Sequence, residues 1–136
     1  MGKHAIIIIK NNDNKYLQYY DKVWNSYLFL NCKVSSDSDF NLVKEKIIND
    51  LSIDTNDINL ELLGEKTHKK FSESAKKEKE YTHYFYRVTL NKPLNNEDFK
   101  LNNISYRWLS YSEMLNDERI FKVNSDIIEF VNELDK

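Results

Sequence analysis

The chain has 136 residues, 40% apolar, 13% aromatic and 31% charged, with a formal net charge of −2. That apolar content excludes a disordered polymer, and mixed charge without a basic excess excludes a nucleic-acid scaffold or a membrane-surface protein. What remains is one domain, residues 1–136, long enough to bury a real core. Glycine is scarce: Gly2 and Gly64 are the two in the chain, which rules out a phosphate-cradling P-loop and a dinucleotide-binding fingerprint. The single cysteine, Cys32, has no internal disulfide partner and fits a reducing compartment. Ile6 to Ile9 is far too short to span a bilayer and lacks a signal-peptide cleavage pattern, so the expectation is a cytoplasmic protein that contacts no membrane.

His4 to Lys10 is rich in β-branched residues and ends in the turn cluster Asn-Asn-Asp-Asn, which predicts a buried strand. Lys15 to Asp21 is its expected hairpin partner. Tyr27 to Val34 alternates, with Tyr27, Phe29 and Asn31 on one face and Leu28, Leu30 and Cys32 on the other. Asp39 is the expected N-cap of a helix whose apolar stripe is Phe40, Val43, Ile47, Ile48 and Leu51. Ile58 to Phe71 reads as a strand running through Gly64, and the segment Ser72–Glu80 as a solvated connection. Tyr81 to Leu90 gives the longest strand signal, Pro93 to Asn103 a loop, and Ser105 to Ser110 a last strand. A short helix at Tyr111–Leu115 and a closing helix from about Asp126 complete the chain. The simplest layered solution is α/β (α+β): one mixed sheet with helices on its faces.

This order of elements resembles the Nudix hydrolase superfamily over essentially the whole chain. Residues 27–34, Tyr-Leu-Phe-Leu-Asn-Cys-Lys-Val, look like the entry to the Nudix box, and residues 42–53 sit where the family has Ala-Ala-x-Arg-Glu-Leu-x-Glu-Glu-Thr-Gly-Ile. Residues 104–115, with Trp108, resemble the family's closing strand and helix. The resemblance implies a Nudix fold with a degenerate box at about residues 31–53. In the family, glutamates on the box helix hold a divalent metal that activates water against a diphosphate linkage. Carried across, the Arg-Glu pair falls on Glu45 and Lys46, the Glu-Glu pair on Asn49 and Asp50, and the loop glycines on Asn31 and Cys32. The loop acid falls near Asp37, Ser38 or Asp39.

Three family carboxylates would supply about −3 to a hard cation such as Mg²⁺. Here Lys46, Asn49 and Asp50 together supply no net charge, and Lys46 and Asp50 stand four apart on one helix face, where they pair with each other. The expectation is therefore no cofactor and no metal, with Asp50 as the ligand if there is one. If the chain is active, Glu45 and Asp50 are the catalytic candidates, with Mg²⁺. The plain alternative for all four is an ordinary solvated helix face.

A binding cleft is the remaining candidate. Tyr20, Trp24 and Tyr27 are the aromatic candidates, against the alternative that such rings fill the faces of a sheet. Lys33 and Lys46, with Lys69, Lys76, Lys77 and Lys79, are the cations able to meet phosphate; Glu73, Glu78 and Glu80 nearly cancel the second group. His68 and His83 fall on neighbouring strands and are expected to pair across the sheet; two histidines alone do not make a zinc site. Cys32 reads as a small apolar residue. Three functions follow: a Nudix-like protein binding a nucleotide or nucleoside-diphosphate-linked ligand with little or no hydrolysis, a divergent but active pyrophosphohydrolase, or a module that presents a surface to a protein partner. Nucleic acid is not an expected partner.

Overall fold

Alternation along the first strand decides the architecture. In β1 (Gly2–Ile9), Ala5, Ile7 and Ile9 pack into one apolar cluster while Ile6 and Ile8 pack into another. A strand buried on both faces needs a layer on each side. The first layer is α1 (Phe40–Leu51), which inserts Val43, Ile47 and Leu51 at intervals of four residues. The second is made by α2 (Tyr111–Asn116) and α3 (Glu118–Leu134), which insert Met114, Ile120, Ile127, Ile128 and Val131. The computed structural model describes residues 2–72 and 76–135.

Between the layers lies one seven-stranded sheet, completed by β2 (Tyr16–Asp21), β3 (Ser26–Lys33), β4 (Ile58–Ser72), β5 (Lys77–Leu90), β6 (Phe99–Leu101) and β7 (Ile104–Leu109), in the order β4-β5-β1-β3-β2-β7-β6. The sheet is mixed: β1 runs parallel to β5, and every other pairing is antiparallel. The expected sheet between helices is what the chain builds. β3 changes partner midway, with Leu30 to Lys33 bonded to β1 and Ser26 to Phe29 to β2. Its face assignment holds: Phe29 joins the α3-side cluster, while Leu30 and Cys32 join the α1 side.

Four expectations are corrected. β2 is not the hairpin partner of β1, which pairs with β3 and β5 and meets β2 through the isolated bridge of Lys10 to Tyr16. Residues 77–80 are not a connection but the start of β5, paired with Lys69 to Ser72 in a two-stranded arm beyond β1; Glu73, counted in the charge balance, lies outside the described residues. Period-2 alternation is hidden there because residues 77–80 are all exposed and no burial demands apolar residues among them. The span Pro93–Asn103 contains β6, joined to β7 through Asn102 and Asn103, both left-handed with φ of 52° and 67°. Two consecutive positive φ values make the mirror-image turn that fits a hairpin, supplied here by Asn-Asn rather than Asn-Gly. Finally, the expected closing helix after Asn124 is preceded by a helical segment from Glu118 that the sequence pattern does not show, the two together forming α3. Asp117 caps it by accepting from the Ile120 amide at 3.0 Å, and Ile120 is buried, but the helix kinks at Asn124 (φ −138°, ψ 16°), which breaks the period.

Candidate functional site

The kink in α3 borders an opening, which Asn124 helps to line. Between α3 and the sheet lies a cavity of about 730 Å³, walled by the first residues of β1, by β3 and by β5, and roofed at one end by the two-stranded arm. Trp24, from the β2–β3 turn, lies on its rim. That turn is fixed twice. Asp21 accepts from the amides of Val23 and Trp24 at 2.9 and 3.0 Å, and Arg119 of α3 donates to the carbonyls of Trp24 and Asn25. Lys33, Lys77 and Lys79 stand in the wall against Glu78 and Glu80, leaving an excess of positive charge. Asn31 and Asn124 supply amides. The Asn31 side chain donates to the Tyr19 hydroxyl at 3.2 Å and to the Phe29 carbonyl at 3.0 Å, which leaves its carbonyl oxygen as the acceptor. Asn124 is 7% exposed and lines the cavity at the kink.

A histidine chain crosses the cavity floor. His83, 9% exposed, lines the cavity; its Nδ1 lies 2.8 Å from Nε2 of His68, whose Nδ1 lies 3.2 Å from a carboxylate oxygen of Asp126. The expected pairing of the two histidines across β4 and β5 is thus present. His4 stacks on His83 with ring centroids 6.0 Å apart. Burial, and then the neighbouring Lys33 charge, hold the His4 pKa below its ordinary value.

The candidate residues divide between the two faces. Trp24, Lys33 and His83 line the cavity, as do Lys77 and Lys79; His68 stands behind His83. Tyr20 and Tyr27 lie outside it, edge to face at 5.3 Å, with the Tyr20 hydroxyl on Asn25 and Arg107 5.4 Å from the Tyr27 ring. No described α1 residue lines this cavity, so it does not bring Trp24 together with the Lys46–Asp50 face. The sheet separates them.

On the α1 side, Lys46 pairs with Asp50 at 2.7 Å, and Glu45 and Asn49 are exposed. Asp39 does occupy the N-cap position, but makes no side-chain cap; its carboxylate instead accepts from the Ser35 amide and hydroxyl at 2.6 and 2.8 Å, which hold its pKa below the usual carboxylate range. Cys32 is half-buried, and burial pushes its thiol up, away from thiolate reactivity. Below them the Tyr106 hydroxyl is buried without a hydrogen-bond partner, and burial, with the Asp50 charge second, raises its pKa to about 12.

No protein-family model and no curated protein sequence matches the chain. Solved structures do. An Ap4A hydrolase of C. elegans in a binary complex superposes with a TM-score of 0.62 at 13% identity, over 99% of this chain and 98% of that one. A MutT protein from Methanosarcina mazei Go1 gives 0.61 at 16% identity, covering 99% and 95%. A Nudix hydrolase from Nitrosomonas europaea gives 0.56 at 11% identity, covering 97% and 86%. The fold is that of the Nudix hydrolases.

At the end of α1, Ser52 takes the left-handed conformation (φ 56°) and its amide bonds the Ile48 carbonyl at 2.9 Å. Sequence reasoning missed His4, Tyr81 and Asn124 as cavity residues. Strand alternation could have placed His4 and Tyr81 beside His83; nothing local marks Asn124, because its position follows from the kink. Among the described residues, no helix is long and apolar enough to cross a membrane.

Proposed function

We propose that this protein binds a nucleotide or nucleoside-diphosphate-linked ligand in the cavity under α3, with little or no hydrolysis. The observation that carries this reading is the composition of that cavity. Its volume of about 730 Å³ is that of a small-molecule site, with the Trp24 ring on the rim, Lys33, Lys77 and Lys79 in the wall, and Asn31 and Asn124 between them. A ring stacks a base, lysines meet phosphates, and amides offer one donor and one acceptor to a base edge. The neighbouring Ap4A hydrolase acts, by its name, on a nucleotide of this general kind.

The box helix supports the second half of the reading. A divalent cation wants several carboxylate oxygens. Here the one acid at the matched Glu-Glu position, Asp50, is held by Lys46 at 2.7 Å, and Glu45 is exposed. Among the described residues no three His, Cys, Asp or Glu side chains gather where they could hold a metal ion. The residues present do not fit Mg²⁺. An open cavity also speaks against a scaffold whose only role is to present a surface to a protein partner.

Titration calorimetry with ADP, ADP-ribose and Ap4A, with and without Mg²⁺, tests the reading. Binding without a metal requirement is expected, weakened at least about 5-fold in Trp24→Leu, since a stacked base contributes about 1–3 kcal/mol. No heat and no thermal shift with any of them would sink it. Metal-dependent nucleotide or phosphate release, abolished by Asp50→Ala and Glu45→Ala, would establish the hydrolase alternative instead.

A further inference from the structure

Asn31 lines the cavity, and the hydrogen bonds behind it decide which of its atoms is offered to a ligand. The Asp21 carboxylate only accepts, so the 2.7 Å contact makes the Tyr19 hydroxyl its donor. Burial, and then the Asp21 bond, push the Tyr19 pKa well above the ordinary phenol value, so that proton stays in place. The Tyr19 oxygen therefore meets Asn31 as an acceptor at 3.2 Å, which requires the NH₂ group of Asn31 on that side. The Phe29 carbonyl, 3.0 Å from the same nitrogen, makes the same demand. The amide is set from two directions and both of its N–H groups are used. What Asn31 keeps for a ligand is Oδ1, an atom that can only accept.

The same carboxylate sets the aromatic rim. The other oxygen of Asp21 accepts from the Val23 and Trp24 amides at 2.9 and 3.0 Å. One aspartate thus holds the turn that carries Trp24 and, through Tyr19, the orientation of Asn31. Neither Asp21 nor Tyr19 lines the cavity. Asn124, 7% exposed at the kink, does, and its side chain makes no hydrogen bond to a described residue, so it keeps a donor as well as an acceptor.

An acceptor that cannot turn is a filter. Adenine and cytosine carry an exocyclic amino group where hypoxanthine and uracil carry a carbonyl. The amino group donates to Asn31 Oδ1, whereas a carbonyl in its place sets two oxygens against each other. A freely rotating amide would serve either base by flipping; the Tyr19 oxygen and the Phe29 carbonyl remove that freedom.

We propose that the cavity selects a base bearing an exocyclic amino group, with Asn31 Oδ1 as the specificity-determining acceptor and Asp21 and Tyr19 as positioning residues behind it. This rests on the nucleotide reading and narrows its ligand class to nucleotides of amino-bearing bases. Asn124 meets the ring nitrogen beside the amino group.

Titration calorimetry on the intact protein tests it with two matched pairs, ADP against inosine diphosphate and CDP against UDP, and with inorganic pyrophosphate, which has no base. ADP and CDP should bind at least about 10-fold more tightly than their carbonyl counterparts, because the wrong base leaves the acceptor unpaired. Tyr19→Phe frees the Asn31 amide to turn without changing a cavity residue. It should bring the ADP preference towards one while pyrophosphate affinity stays at the parent value, and Asn31→Ala should do the same. Equal binding of ADP and inosine diphosphate by the parent, or tighter binding of the latter, would overturn the inference and leave the nucleotide reading intact. A preference that survives Asn31→Ala would overturn it too. One lost in Asn31→Ala but kept in Tyr19→Phe would overturn the positioning role alone. Pyrophosphate binding without nucleotide binding, or no binding of any probe, would remove the nucleotide reading and the inference with it.

Discussion

Lys46 is the residue on which the proposed lack of metal binding turns. Its ammonium sits 2.7 Å from Asp50, at a position where the aligned family pattern has a glutamate. If that single charge is what excludes a divalent ion, restoring acids should bring the ion back: a Lys46→Glu, Asn49→Glu double variant is expected to bind Mn²⁺ where the parent does not, as read by electron paramagnetic resonance. No gain would mean that the backbone of the loop, not the side chains, has changed. A second residue-scale device is the use of asparagine where a glycine-poor chain must turn left-handed. Asn14, Asn25, Asn102 and Asn103 all have positive φ, along with Ser52 and Lys76. Asparagine bears this conformation better than most residues but still less well than glycine. Asn103→Gly is therefore expected to stabilise the protein by about 0.5–1 kcal/mol, raising the melting temperature by a few degrees. The substitution touches no cavity residue, so ADP affinity should not change. The same economy explains why the β6–β7 hairpin was not legible in the sequence, where Asn-Asn in a polar stretch reads as loop.

At the scale of elements, legibility followed burial. β1 and the second half of β5 announce themselves because both faces are covered, and the α1 stripe is plain because Val43, Ile47 and Leu51 recur on one side. Ile47 is fully buried, and Ile47→Ala is expected to cost about 2–5 kcal/mol in chemical denaturation. The first half of α3 was missed because Arg119 and Lys122 interrupt its apolar positions and the kink at Asn124 changes their phase. The cavity was missed with it, since an opening beside a bend leaves no periodic trace. What holds the far end of α3 was equally hidden, being a contact across the whole chain. Asp135 there accepts from the Tyr16 hydroxyl at 2.8 Å and from Arg87 at 2.7 and 3.0 Å, with the Lys10 ammonium at 3.1 Å. Burial alone would push this carboxyl up; the hydrogen bonds from Arg87, Tyr16 and Lys10 outweigh it and hold it below the ordinary aspartate value. A depressed carboxyl stabilises the fold above its unfolded pKa, near 3.9, and that stability is lost as pH falls through the folded value. Asp135→Ala should cost about 3–5 kcal/mol at pH 7, with the gap to the parent closing below about pH 4. A gap independent of pH would show that packing, not charge, accounts for the loss.

For the whole molecule, the sheet divides labour between its two sides. One side carries α1 and the Lys46–Asp50 pair, the other the cavity, the histidine chain and α3, and two separate apolar clusters hold the layers. Stability is correspondingly uneven. Amide exchange should be slowest in the middle of β1 and in the inner half of β5, which are paired on both edges, and fastest in the arm at 69–72 and 77–80, where two strands have only each other. Protection of the arm equal to that of β1 would contradict this. A ligand that touches Phe71, Lys77 or Lys79 would raise protection there first, which makes the arm the place to look for binding.

The parallel pairing of β1 with β5 carries a cost that appears only while the chain is being made. Gly2 to Ile9 form along their whole length against Tyr81 to Val88, half the sequence away. Four consecutive isoleucines therefore leave the ribosome long before their partner exists, covered at best by β3. Folding must wait for that distant contact, so the chain should refold slowly for its size and be most prone to self-association at nascent lengths that end before β5.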